Sequence, residues 1–331
     1  MMMSVIIAFI KKAVVPYVAR VIYRFKYEKS YLHTYHDCLC MNNNVLIPQT
    51  ISEQLLYSTV RIIGLIDNKP TSFGTGFFYN IKIDDTKQIE LILTNKHVIE
   101  NNSSLSFFLH EATLVNDHLY PAGSSFQITF NDFKTIWIPH PNPDVDLGAL
   151  LFVPIREQVK NQLNKVPFIQ TLDESLIKDD MQLKEQSTVA DEVLMVGYPI
   201  GLWDEFNNFP IIRKGITATH PAIDFQNKSI GVVDIACFPG SSGSPILICM
   251  EGSFSDKLGN LVIGGRKIIF LGLLSSGPTF TSEGKIEIKE IPTVNMQTVS
   301  INTQMIHLGY YVKAKEILNL CNHIKKITGH N

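Results

Sequence analysis

The sequence is poor in residues that would staple or ligate. Five cysteines occur in 331 residues, at positions 38, 40, 237, 249 and 321. An odd number at irregular spacing is not a disulfide framework, and it fits a reducing compartment. Cys38 and Cys40 are one residue apart and have no CxxC partner pair, which argues against structural zinc. His110, His118, His140, His220 and His307 lack the spacing of metal ligands, so no metal and no cofactor is expected. Charge of one sign is also lacking. The formal net charge is −2, so no global field favours nucleic acid as a partner. Long hydrophobic runs are missing too, since no window reaches the ~18–20 uncharged apolar residues of a membrane span.

The first residues are apolar without being a span. Met1 to Ile10 is nearly all apolar, Lys11 and Lys12 interrupt it, and Arg20, Arg24, Lys26 and Lys29 follow. A signal peptide carries its charges before the apolar core, and here they come after it. Three readings stay open. Residues 1–30 form a basic segment that touches a membrane surface, or a disordered or partly helical leader, or translation starts at Met41. The expected location is cytoplasmic, with membrane association under the first reading.

What the sequence does have is a long series of short apolar runs separated by turn residues. "LLYSTVRIIGLI" (55–66), "GTGFFYNIKI" (74–83) and "IELILTNKHVI" (89–99) open it, and "SLSFFLH", "SFQITF" and "DLGALLFVP" continue it. Residues 156–188 are polar and charge-rich with little alternation, a connector with at most one short helical turn. Strands resume at "DEVLMVGYPIG" and run to "LVIGGRKIIFLGLLSS". Ile317, Leu320, Cys321 and Ile324 then recur at helical spacing, which predicts a helix over 314–327. The pattern divides the chain into a leader (1–50), a first β unit (51–155), the connector (156–188), a second β unit (189–311) and a helix with tail (312–331). Strands at this spacing with few helical signals predict an all-β barrel or sandwich.

Three stretches combine reactive side chains with unusual backbone. His97 follows a buried strand in "ILTNKHVIE". Asp146 opens an apolar strand in "NPDVDLGALL", with Asp144 as a near competitor. "FPGSSGSPIL" (238–247) packs glycines and serines just before an apolar run, and only Ser242 has a glycine two before it and one after. The three come in the order His, Asp, Ser, with separations of 49 and 96 residues. Each residue alone is more often structural; the ordered set carries the inference.

These stretches resemble the chymotrypsin-like serine peptidases, and within them the HtrA/Deg-like trypsin group, over roughly residues 55–325. The template separations are about 45 and 93. "GTGFF", "ILTNKHV", "DLGALL", "GYPIG" followed by "RKGITA", and "PGSSGSPI" are similar to five motifs of that group, in the group's order. The resemblance implies two antiparallel six-stranded β-barrels and a C-terminal helix. It implies His97 as base, Asp146 as its orienting partner and Ser242 as nucleophile, with the N–H groups of Gly240 and Ser242 as the oxyanion hole. The substrate would be a protein or peptide. Ala236, six before the nucleophile, would floor the primary specificity pocket, with Ser275, Ser276 and Gly277 as its wall. Neither stretch offers a buried charge, so an uncharged P1 side chain is expected; Asp234, if turned inward, would favour a basic one. Ser241 stands where digestive relatives carry the aspartate that pairs with a newly cut N-terminus, so that activation route is not expected. No glycine-rich PDZ-like loop follows residue 300. The rival reading is an idle peptide-binding module on the same fold.

Overall fold

The computed structural model describes residues 14–16, 45–277, 279–286, 298–305 and 307–329. The readings placed on residues 1–13 and 17–44, including Cys38, Cys40 and Met41, lie outside these. Among the described residues no helix is long and apolar enough to cross a membrane.

In chain order, the first sheet is built from β1 (Val14–Pro16), β2 (Thr59–Ile66), β3 (Lys69–Lys82), β4 (Lys87–Thr94), β5 (Ser104–Val115), β6 (His118–Phe130), β7 (Trp137–Pro139), β8 (Gly148–Leu151), β9 (Pro167–Phe168) and β10 (Leu172–Asp173). Its hydrogen-bonded path runs β6-β5-β2-β3-β4-β8-β7, with β1, β9 and β10 attached to β4, β5 and β3. Among the described residues this path has two ends, and the sheet carries more strands than the six expected. The turns explain the register. Asp67–Asn68 and Asn116–Asp117 all have positive φ, as a two-residue hairpin turn with the strand twist requires. They pair Ile66 with Lys69 and Val115 with His118.

The second sheet is a closed barrel of β11 (Glu192–Gly197), β12 (Ile211–Thr217), β13 (Ile230–Asp234), β14 (Pro245–Ser255), β15 (Leu261–Ser276) and β18 (Leu308–Lys313). A separate hairpin, β16 (Thr279–Ile286) and β17 (Thr298–Met305), leaves between β15 and β18. Val193, Met195, Val233, Ile235, Cys237, Ile246, Ile248, Ile269, Leu271 and Tyr311 fill the barrel. The all-β class is therefore as expected.

Three helical details differ from the sequence reading. The run at 55–66 begins as helix: α1 (Ile51–Leu55) is capped by Thr50, whose hydroxyl accepts from the Glu53 amide while Glu53 accepts from the Thr50 amide. That capping box outweighs the apolar run after it. His97 lies in a one-turn helix, α2 (Lys96–Ile99), rather than at a strand end. The connector holds two helices, α3 (Phe152–Leu163) and α4 (Asp180–Gln186). In α3 the buried residues are Phe152, Val153, Pro154, Ile155 and Val159. The apolar side is thus concentrated in the first turn, where it reads as the end of a β run, and the rest has no 3.6-residue period to detect.

The predicted C-terminal helix forms as α5 (Ala314–Thr328), closed by Gly329 with φ 77°. Ile317, Leu320, Cys321 and Ile324 are buried in the core of the first sheet. Each such side chain contributes about 1.5–3 kcal/mol when removed from water. The last helix in the chain thereby ties the second barrel back to the first sheet.

Candidate active site

His97 and Asp146 come from neighbouring elements because β4 pairs with β8. The strand β4 delivers its C-terminal end to α2, and Asp146 lies just before β8. His97 Nδ1 is 2.7 Å from Asp146 Oδ2, and the His97 amide donates to Asp146 Oδ1 at 3.3 Å. Two further residues hold the aspartate. The Ser275 hydroxyl donates to Oδ2 at 2.7 Å, and Asn95 Nδ2 donates to the Asp146 carbonyl at 2.7 Å. Asp144 instead sits in an exposed turn, its amide on Asn142 Oδ1, so the competitor is away from the histidine. The His97 side chain is 50 % exposed and that of Asp146 29 %, which leaves Nε2 on the accessible side of a braced imidazole.

Burial raises the Asp146 pKa, but the hydrogen bonds from His97 and Ser275 more than offset it, and the net shift is downward. A carboxyl held below its unfolded value of about 3.9 stabilises the fold fully above that pH and loses the contribution as pH falls through the lower folded value. Thermal melts should therefore show stability falling below about pH 4. In Ser275→Ala this fall should be shallower, because one of the bonds that lowers the pKa is gone; an unchanged acid limb would count against the bracing.

The serine stretch forms a tight turn between β13 and β14. Gly240 and Gly243 have φ 89° and 86°, a region that side chains with a Cβ avoid. At Gly243 a Cβ would also fall 1.9 Å from the Thr75 carbonyl oxygen. Ser241 and Ser244 are buried, at 1 and 0 % exposure, while Ser242 is half-buried. Burial therefore separates the three serines. The Ser242 hydroxyl donates to the Ser275 carbonyl at 3.3 Å rather than to His97. Ser275 thus touches Asp146 with its side chain and Ser242 with its carbonyl.

The backbone of the turn is pinned from outside. The Pro239 carbonyl accepts from the Ile200 amide at 2.5 Å, so the trans Gly240 N–H of the same peptide points the other way. Neither the Gly240 nor the Ser242 amide has an acceptor among the described residues. Two unpaired donors in one turn make an anion-binding concavity. Ile200 itself has φ 53°, an outlier for a β-branched residue. In the "GYPIG" stretch this strained backbone directs the amide that fixes the Pro239 peptide.

Thr75, in the middle of "GTGFF", is the residue that sequence reasoning missed. Its hydroxyl donates to the Gly240 carbonyl at 3.0 Å and accepts from the Tyr198 amide at 3.1 Å. Its own amide donates to the Ser242 carbonyl at 2.8 Å. The first sheet therefore holds the serine turn of the second barrel directly. The two glycines flanking Thr75 were the available signal. Of the pocket residues expected from sequence, Ala236 lies half-buried on the approach to the turn, Ser276 ends β15 and is exposed, and Gly277 follows it. Ser275 belongs to the aspartate by its side chain.

No curated protein matches the chain. A family model described as the trypsin-like peptidase domain matches residues 74–254, more than half of the chain. That span includes "GTGFF", His97, Asp146 and Ser242. A peptidase domain acts on proteins or peptides, and serine-protease chemistry is what this domain supports. With two β sheets, a histidine braced by an aspartate and a serine turn between them, the chain belongs to the trypsin-like peptidase domain family.

Proposed function

We propose that the protein is a serine endopeptidase working through Ser242, His97 and Asp146, and that its motifs set it beside the HtrA/Deg-like group. The observation that carries this reading is the bracing of His97 by Asp146 at 2.7 Å, next to a serine turn with two unpaired amides. The Ser242 hydroxyl turns from the Ser275 carbonyl to His97 Nε2 when substrate arrives. Apo hydrogen bonds of this kind are often loose and tighten only with substrate bound.

Nε2 takes the hydroxyl proton as Oγ bonds to the scissile carbonyl carbon. The carbonyl electron pair moves onto oxygen, where the Gly240 and Ser242 N–H groups receive it. One such donor is worth about 10²–10³ in rate. Asp146 holds Nδ1–H and stabilises the imidazolium without taking its proton. The C–N bond then breaks, and the leaving amine receives the proton from Nε2. Water attacks the acyl-enzyme with His97 again as base, which releases the acid and restores Ser242.

A fluorophosphonate probe tests this directly. Labelling should occur at Ser242 of the full chain and vanish in Ser242→Ala. The Ser242–Ser275 bond favours a second reading, an idle peptide-binding module. Absence of labelling in wild-type protein that binds peptides would select it.

A further inference from the structure

Arg213 is a cation that the reaction sketched above does not use, and it lies beside the segment leading into the nucleophile turn. On β12 it stands directly opposite Met195 of β11, and Met195 is in the barrel core. Directly opposed residues share a face, so Arg213 points into the barrel end rather than outward. Gly215, two residues on, faces the same way, since a Cβ there would meet Ile235. The Arg213 guanidinium donates to the Ala236 carbonyl and lies 4.6 Å from the centroid of the Phe238 ring.

This cation has no carboxylate partner among the described residues. The titratable group acting on it is the Cys237 thiol, which burial pushes up to about 11 and so keeps neutral at ordinary pH. Arg213 is partly buried, and desolvation lowers its pKa, yet a guanidinium remains charged in proteins. A partly desolvated cation held by a carbonyl and a ring but by no anion is the natural partner for an anionic group that reaches it.

The position decides what that anion would be. A scissile carbonyl seated on the Gly240 and Ser242 amides has its neighbouring side chain flanked by the segments that frame the turn. These are Ala236–Phe238, bound through the Ser241 amide to the Phe238 carbonyl, and the end of β15, bound through the Gly243 amide to the Leu274 carbonyl. We propose that Arg213 sets the primary specificity of this peptidase and selects an acidic residue, Glu or Asp, at P1. The inference rests on the peptidase reading above. It departs from the sequence-based expectation of an uncharged pocket, which rested on Ala236 and on Ser275 to Gly277. Asp234 does not compete: it stands opposite Ile216 of β12, on the outward face, and is exposed.

The test is a P1-scanning peptide library with the full-length protein, run beside fluorophosphonate labelling, which needs no P1 side chain. Wild type should cleave after Glu or Asp in preference to every other residue. Arg213→Met should lower kcat/KM for acidic P1 by about 10²–10³-fold and leave labelling of Ser242 intact. Arg213→Lys, which keeps the charge but not the fork, should retain part of the preference. Labelling with cleavage mainly after uncharged residues, unaffected by Arg213→Met, would overturn the assignment, and so would cleavage mainly after Lys or Arg. Loss of labelling in wild type would instead remove the peptidase reading on which it stands.

Discussion

Ser242→Ala is expected to lower kcat for peptide hydrolysis by about 10⁴–10⁶-fold while leaving the melting temperature within a degree or two of wild type. The two halves of that expectation have separate causes. In the proposed mechanism the hydroxyl is the attacking atom, and no neighbour replaces it, because Ser241 and Ser244 are buried. Structurally the hydroxyl makes one long bond, 3.3 Å to the Ser275 carbonyl, so its loss removes little from the folded state. The turn is held by backbone bonds that alanine keeps: the Thr75 amide to the Ser242 carbonyl and the Gly243 amide to the Leu274 carbonyl. Ser241→Ala serves as the control and should retain most activity. If Ser241→Ala were inactive and Ser242→Ala active, the assignment of the nucleophile would be wrong.

Asp146→Asn should cost about 10⁴-fold in kcat near neutral pH. Oδ2 accepts from both His97 Nδ1 and the Ser275 hydroxyl, and Oδ1 accepts from the His97 amide. An amide in this position presents one NH₂, which must face a donor or displace one. If it turns toward the ring, Nδ1 becomes the acceptor and the proton moves to Nε2. The imidazole is then the wrong tautomer to take a proton from Ser242. Shape is preserved, so the loss should appear in kcat with little change in KM, and thermal stability at neutral pH should drop by only about 1–3 kcal/mol. Near-normal turnover in this variant would mean that Asp146 braces the loop without orienting the base.

The sequence alone determined the β class and the terminal helix, and it singled out the candidate site residues. Its turn pairs and alternating runs are local, and the His97, Asp146 and Ser242 stretches each announce themselves by glycine, apolar strand and reactive side chain within a few residues. The capping boxes at Thr50–Glu53 and Asp179–Gln182 are equally local, but the sequence reading passed over both. What only the tertiary structure decided are relations between residues far apart in the chain. Ser275 meets Asp146 across 129 positions and Thr75 meets Gly240 across 165, and no short-range period marks such pairs. The helix α3 escaped because its apolar residues crowd into the first turn and most of its remaining length, Val159 apart, is polar. Arg213 escaped because a strand residue's face depends on register, and a shift of one position reverses it. Pairing with Met195 turns this cation toward Ala236. Packing, not sequence neighbourhood, thus decided where this cation lies.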